Sequence, residues 1–100
     1  MFNKYIMAGV IAQKYLAEFV GTMFLLLVIL STGGEALAVG AALAIAIMVV
    51  GKVSGGHLNP AVTVMMAVAK KMNSNDVLPY IVAQVAGGLV ALELHKRLRK

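Results

Sequence analysis

The sequence predicts an all-α membrane protein with three transmembrane helices plus a re-entrant loop and half-helix between the second and third. Three observations predict it. The chain of 100 residues is 61% hydrophobic, with a mean hydropathy of +0.91, which does not describe a soluble domain. Its apolar runs approach about 18 residues, the length that crosses a hydrocarbon core. Between the second and third runs stands Ser54-Gly55-Gly56-His57-Leu58-Asn59-Pro60-Ala61-Val62-Thr63, a polar and glycine-rich stretch. Irregular backbone at membrane depth survives only where it is buried in protein or lines a water-filled cavity.

Residues 1–14 read as a basic N-terminal segment, with Lys4 and Lys14 flanking the apolar stretch Ile6 to Ala12. That stretch is short for a signal peptide and a span follows directly. An interfacial helix anchored by Phe2, Tyr5 and Tyr15 is expected. The first span covers about 15–31. Glu18 lies inside it, and a carboxylate within a span is a functional-site hypothesis by default. Glu18, Gly21, Thr22 and Leu25 share one face at three-and-four spacing, which should look into the protein. The plainer alternative is a glutamate near the interface that stays solvated.

Ser31-Thr32-Gly33-Gly34-Glu35 is a tight turn. The second span follows over about 36–53, with Gly40, Ala44 and Gly51 as small residues suited to close helix contact. The pore loop and half-helix occupy 54–70. Asn59 is a preferred N-cap residue and Pro60 suits the first helical position, where its missing N–H costs nothing. The half-helix from Pro60 to about Lys70 spans roughly half a bilayer at about 1.5 Å per residue. Lys70, Lys71, Asn73, Ser74 and Asn75 then form a turn, and Asp76 is placed to cap the third span over about 77–94. Ala83, Gly87 and Ala91, with Gly88 beside them, make a small-residue packing face. Gln84 is the polar exception, open to a plain packing role or to holding the loop. Residues 96–100 form a basic tail.

SGGHLNPAVT resembles the first NPA signature of the aquaporin or major intrinsic protein (MIP) family. Ala17-Glu18-Phe19-Val20-Gly21-Thr22 looks like that family's first-helix motif, and Tyr80-Ile81-Val82-Ala83-Gln84-Val85-Ala86-Gly87-Gly88 like its third-helix motif. The resemblance covers residues 15–95, one aquaporin-like half-repeat with a single NPA motif. It implies that Glu18 accepts hydrogen bonds from the loop's backbone N–H groups, that Gln84 helps to hold the loop and that His57 braces it. It also places Val39 where the family's narrow constriction usually has an aromatic residue. Val62 falls where the second NPA motif of the family is followed by an arginine. Both substitutions imply a wider, more apolar and less discriminating filter.

The loop's own chemistry agrees with a pore. The Asn59 side-chain oxygen can cap the half-helix while its amide N–H groups donate into the lumen. Free carbonyls of Gly55, Gly56, His57 and Leu58 would supply acceptors leading to it, beside Pro60, Ala61 and Val62. The half-helix N-terminus carries roughly half a positive charge, which at the midplane opposes cations and hydronium.

Other classes are excluded. Ser54 and His57 lack the third member of a nucleophilic triad, so the chain is not read as an enzyme. No metal or cofactor is expected, because only His95 could join His57 and it lies at the far end of the third span. There is no cysteine, hence no disulfide frame or thiolate site. The net charge of +5 sits at chain ends and loop edges, where anionic headgroups rather than nucleic acid are the partners. Lys4, Lys14, Lys52, Lys70 and Lys71 collect on one face, and Lys96, Arg97, Arg99 and Lys100 on the other. Five against four is nearly no positive-inside bias, as in a dual-topology protein. The expected function is a passive channel for water and small neutral solutes such as glycerol. An inverted homodimer, or a pairing with a second half-repeat, would form its pore. The alternative is a non-conducting accessory subunit in a larger membrane assembly.

Overall fold

The computed structural model describes residues 3–99. It contains α1 (Lys4–Thr32), α2 (Ala36–Ser54), α3 (Pro60–Val68), a single 3-10 turn (Ser74–Asp76) and α4 (Val77–Leu98). Among the described residues there is no strand. Helix α1 lies between α2 and α4 and packs on both, and the short α3 leans on α4. The segments Lys4–Thr32, Ala36–Ser54 and Ser74–Leu98 are each long and apolar enough to cross a membrane, so the chain is an integral, multi-pass membrane protein.

Each long helix buries one narrow face. On α1 it is Glu18, Gly21, Thr22 and Leu25; on α2, Ala42, Ala46, Val50 and Ser54; on α4, Tyr80, Gln84, Gly87 and Ala91. Small residues set how closely these faces meet. A Cβ on Gly87 would stand 2.5 Å from the Phe19 carbonyl oxygen and 3.2 Å from the Met23 nitrogen, so α1 and α4 touch backbone to backbone there. On Gly21 it would stand 2.6 Å from Leu58 Cδ2. Leu58 thereby joins Leu25, Ala42, Ala46 and Val50 in the apolar core.

The structure departs from the sequence expectations in several places. Residues 4–14 are not a separate interfacial helix but the first turns of α1, which runs unbroken for 29 residues. The segment holds no proline, and a lone Gly9 costs a helix only about 1 kcal/mol. Asn3 starts the helix, its Oδ1 accepting from the Tyr5 and Ile6 N–H groups at 3.0 Å each. Phe2 and Lys100 lie outside the described residues. Helix α3 ends at Val68, and Lys70 turns out at φ 59°. Asp76 caps nothing with its side chain; its carboxylate instead accepts from the Tyr15 hydroxyl at 2.8 Å and pairs with Lys14 at 3.6 Å.

Gly40 is also not a packing residue within the chain: it is exposed, and a Cβ there would meet nothing within 4 Å. The buried face of α2 starts two residues later, at Ala42. Two residues are about 200° of helical rotation, which puts Gly40 and Ala44 on the opposite side.

Candidate functional site

The site forms where α2 ends. Gly55 (φ 91°) and Gly56 (φ 63°) turn the chain through the left-handed region, which glycine enters without steric cost. Leu58 follows at φ 60°, a conformation that costs a branched residue about 1–3 kcal/mol unless its surroundings enforce it. They do: its side chain is buried against Gly21, and its N–H is bonded to Glu18.

Glu18 is completely buried and is the hub. Its Oε2 accepts from the Ser54 hydroxyl (2.7 Å) and the His57 N–H (3.0 Å). Its Oε1 accepts from the Leu58 N–H (2.8 Å) and from Gln84 Nε2 (2.8 Å). A buried charge is tolerable only when fully hydrogen-bonded, and four donors meet that condition. Drawing the N–H groups of 57 and 58 inward turns the opposite side of this backbone outward. Among the described residues no donor bonds the carbonyls of Gly55, Gly56, His57 or Leu58. The preceding carbonyl, Ser54, is occupied by the Tyr80 hydroxyl at 2.6 Å.

A second chain of bonds fixes His57. Gln84 Nε2 has two hydrogens, one for Glu18 and one for Thr63 Oγ1 at 2.9 Å. Thr63, completely buried on α3, bonds His57 Nδ1 through the same Oγ1, 2.8 Å away. The ring packs on Tyr80 with centroids 5.1 Å apart.

Asn59 is extended (φ −159°), and its Oδ1 accepts from the Ala61 N–H at 2.8 Å. Among the described residues neither amide hydrogen has a partner, and the side chain is exposed. Asn59 faces a groove of about 570 Å³ whose wall also includes His57, Leu58, Pro60, Val62, Gln84 and Gly88. Leu25, Leu26, Ile29, Leu43, Val85 and Leu89 supply the apolar remainder, with Thr22 among them. Gly55 and His57 line a second cavity of about 490 Å³, shared with Lys14, Lys71, Asp76 and Tyr80. His57 thus stands in the walls of both.

Other expected site residues lie elsewhere. Val39 packs against the core around Leu25 and Ala42 and is not in the groove wall. Ala61 is exposed on α3. Gly56 lies beside α2, where a Cβ would stand in ordinary contact 3.5 Å from the Gly51 and Ile47 Cα atoms, so glycine is called for there by its φ of 63° and not by crowding. Gly88 makes room for Leu26, whose Cδ2 would be 2.7 Å from a Cβ there. Among the described residues no three His, Cys, Asp or Glu side chains gather as metal ligands.

The structure adds residues that the sequence reading missed. Thr63 and the Ser54 hydroxyl complete the bonding around Glu18 and His57. Tyr80 braces the entrance to the loop, and Tyr15 leans edge-on against it, 6.0 Å between centroids. A signal was available: Tyr80 and Gln84 are four apart on one helix face, and Asn59 and Thr63 share the same spacing on α3.

The family model described as Major intrinsic protein matches residues 5–100. The chain is 41% identical over 87 residues to glycerol uptake facilitator protein-like 6 of Lactiplantibacillus plantarum, covering 79% of this chain and 40% of that one. It is 36% identical over 96 residues to aquaporin Z of Bradyrhizobium diazoefficiens (82% and 40% covered). It is 32% identical over 111 aligned positions to aquaporin AqpM of Methanothermobacter thermautotrophicus (81% and 45%). No solved structure matches the chain. The chain spans less than half the length of these curated relatives. With the match running through all three spans and the loop between them, this chain belongs to the Major intrinsic protein family.

Proposed function

We propose that the chain forms one wall of a passive transmembrane channel for water and small neutral solutes, closed by a second copy in inverted orientation. The carrying observation is the run of carbonyls at residues 55–58 that no described residue bonds: Gly55 and His57 line the second cavity, and His57 and Leu58 line the groove faced by the amide of Asn59. A permeant hydroxyl exchanges its hydration for these acceptors and then for the Asn59 donors, while the leucine-rich wall offers nothing to bind it tightly. Charged species gain no counter-charge there, and the α3 N-terminus opposes cations. The names of the relatives, a glycerol uptake facilitator-like protein and two aquaporins, support this solute class. Val62 in the groove wall, where the family's second repeat has an arginine, supports a broader selection that admits glycerol.

The groove is open along one side, and the faces of α2 and α3 away from α1 and α4 are apolar and exposed: Ile45, Met48, Val49, Val64, Met65 and Val68. An inverted copy would close the groove and set two α3 N-termini tip to tip. The test is the chain purified alone and reconstituted in liposomes, with water and glycerol fluxes read by light scattering. Both should exceed those of empty vesicles. Well-folded protein that conducts neither would instead mark an accessory subunit.

A further inference from the structure

Two buried polar atoms have no hydrogen-bond partner among the described residues: Thr22 Oγ1 and Gln84 Oε1. Both side chains are only 2% exposed, and both residues belong to the wall of the large groove. Leaving a buried donor or acceptor unpaired costs about 1–3 kcal/mol, so each such atom needs an explanation.

Their placement supplies one. Gln84 sends both Nε2 hydrogens toward Glu18 and Thr63, which turns Oε1 the other way. Thr22 lies one turn beyond Glu18 on the same buried face of α1. Gly87, one turn beyond Gln84, is where α4 touches the α1 backbone between Phe19 and Met23. Thr22 and Gln84 therefore flank the same helix crossing on its groove side. One is a hydroxyl with a proton to give, and the other is an amide oxygen that only accepts. The group that satisfies both at once accepts from Thr22 and donates to Gln84, which is the pattern of a hydroxyl.

We propose that Thr22 and Gln84 form a second hydroxyl-binding position in the groove wall, beside Asn59, for a water molecule or for a hydroxyl of a small neutral solute. The assignment rests on the channel reading for its transport consequences but not for its occupancy. Both residues already belong to the groove wall, so a hydroxyl reaches the position from the groove, and it offers a passing molecule a station away from the carbonyl row.

The test compares Thr22→Val, which keeps the shape and removes the hydroxyl, with Thr22→Ser, which restores it. Water and glycerol fluxes per reconstituted protein are measured for each, and contacts from water to the residue 22 side chain are recorded by NMR in nanodiscs. Thr22→Val should lower flux about fivefold, the factor expected for one net hydrogen bond, and Thr22→Ser should recover it. Loss in the glycerol arm alone assigns the position to solute hydroxyls, loss in the water arm alone to water, and loss in both to either in turn. Unchanged fluxes with a water contact at wild-type Thr22 assign a resident water. Unchanged fluxes without that contact overturn the proposal, as does a flux lost in Thr22→Val that Thr22→Ser fails to recover. If the wild-type chain conducts nothing, the channel reading fails, and the NMR contact still decides this site.

Discussion

Glu18 does with one carboxylate what several backbone contacts would otherwise have to do: it collects the donors of the loop and so aims the acceptors elsewhere. Glu18→Gln tests this at constant size. The amide presents hydrogens where the His57 and Leu58 N–H groups also donate, so at least one pairing is lost and one repulsion gained. The expected loss of stability is about 2–4 kcal/mol, read by denaturant titration in detergent. Permeability per folded protein should fall with it. Tyr80→Phe removes only the 2.6 Å bond to the Ser54 carbonyl and keeps the ring against His57. A cost of about 1 kcal/mol and faster amide exchange at residues 55–58 are expected; unchanged exchange would mean that Tyr80 merely fills space. These two residues also differ in legibility. A charge inside an apolar span demands a reason, so Glu18 could be singled out from sequence. A tyrosine near the end of a span reads as an interfacial anchor, and its partner is a backbone carbonyl, a group that every residue carries and no pattern marks.

At the scale of elements, the helices follow from apolar run length and the half-helix from Asn59-Pro60, whereas the packing faces follow from contacts that composition leaves ambiguous. On α2, Gly40 and Ala44 are small and four apart, and so are Ala42 and Ala46. Only the position of α1 decides which pair is buried. Two glycine substitutions separate the cases. Gly87→Ala drives a Cβ into the Phe19 carbonyl and the Met23 nitrogen, backbone atoms that cannot rotate away, and should destabilise the chain by about 1–3 kcal/mol. Gly40→Ala meets nothing and should not destabilise, gaining up to about 1 kcal/mol from alanine's higher helix propensity, thermal unfolding in detergent being the readout for both. Any effect of Gly40→Ala on assembly size would place a neighbouring copy on that face. The fusion of residues 4–14 into α1 was hidden for a related reason. Flanking lysines suggested an interface, but charges do not end helices, and nothing in Gln13-Lys14-Tyr15 breaks one.

For the whole molecule, the near balance of five basic residues at one end against four at the other and the one-sided groove both bear on the inverted pairing proposed above. Asn3→Cys and Leu98→Cys, made separately in a chain with no other cysteine, should each react with an impermeant thiol reagent from both sides of the membrane. Labelling of each from one side only would rule out dual topology. The absence of cysteine also means that mercurial thiol reagents should leave the wild-type fluxes unchanged. In the channel proposed above, the carbonyl row and Asn59 conduct. Stopped-flow shrinkage of liposomes holding the wild-type chain should be fast under an osmotic step. Asn59→Leu, which removes the free amide donors and plugs the groove with an apolar side chain, should return it to the rate of empty vesicles. Equal shrinkage of wild type and Asn59→Leu, both folded and reconstituted to the same density, would contradict it.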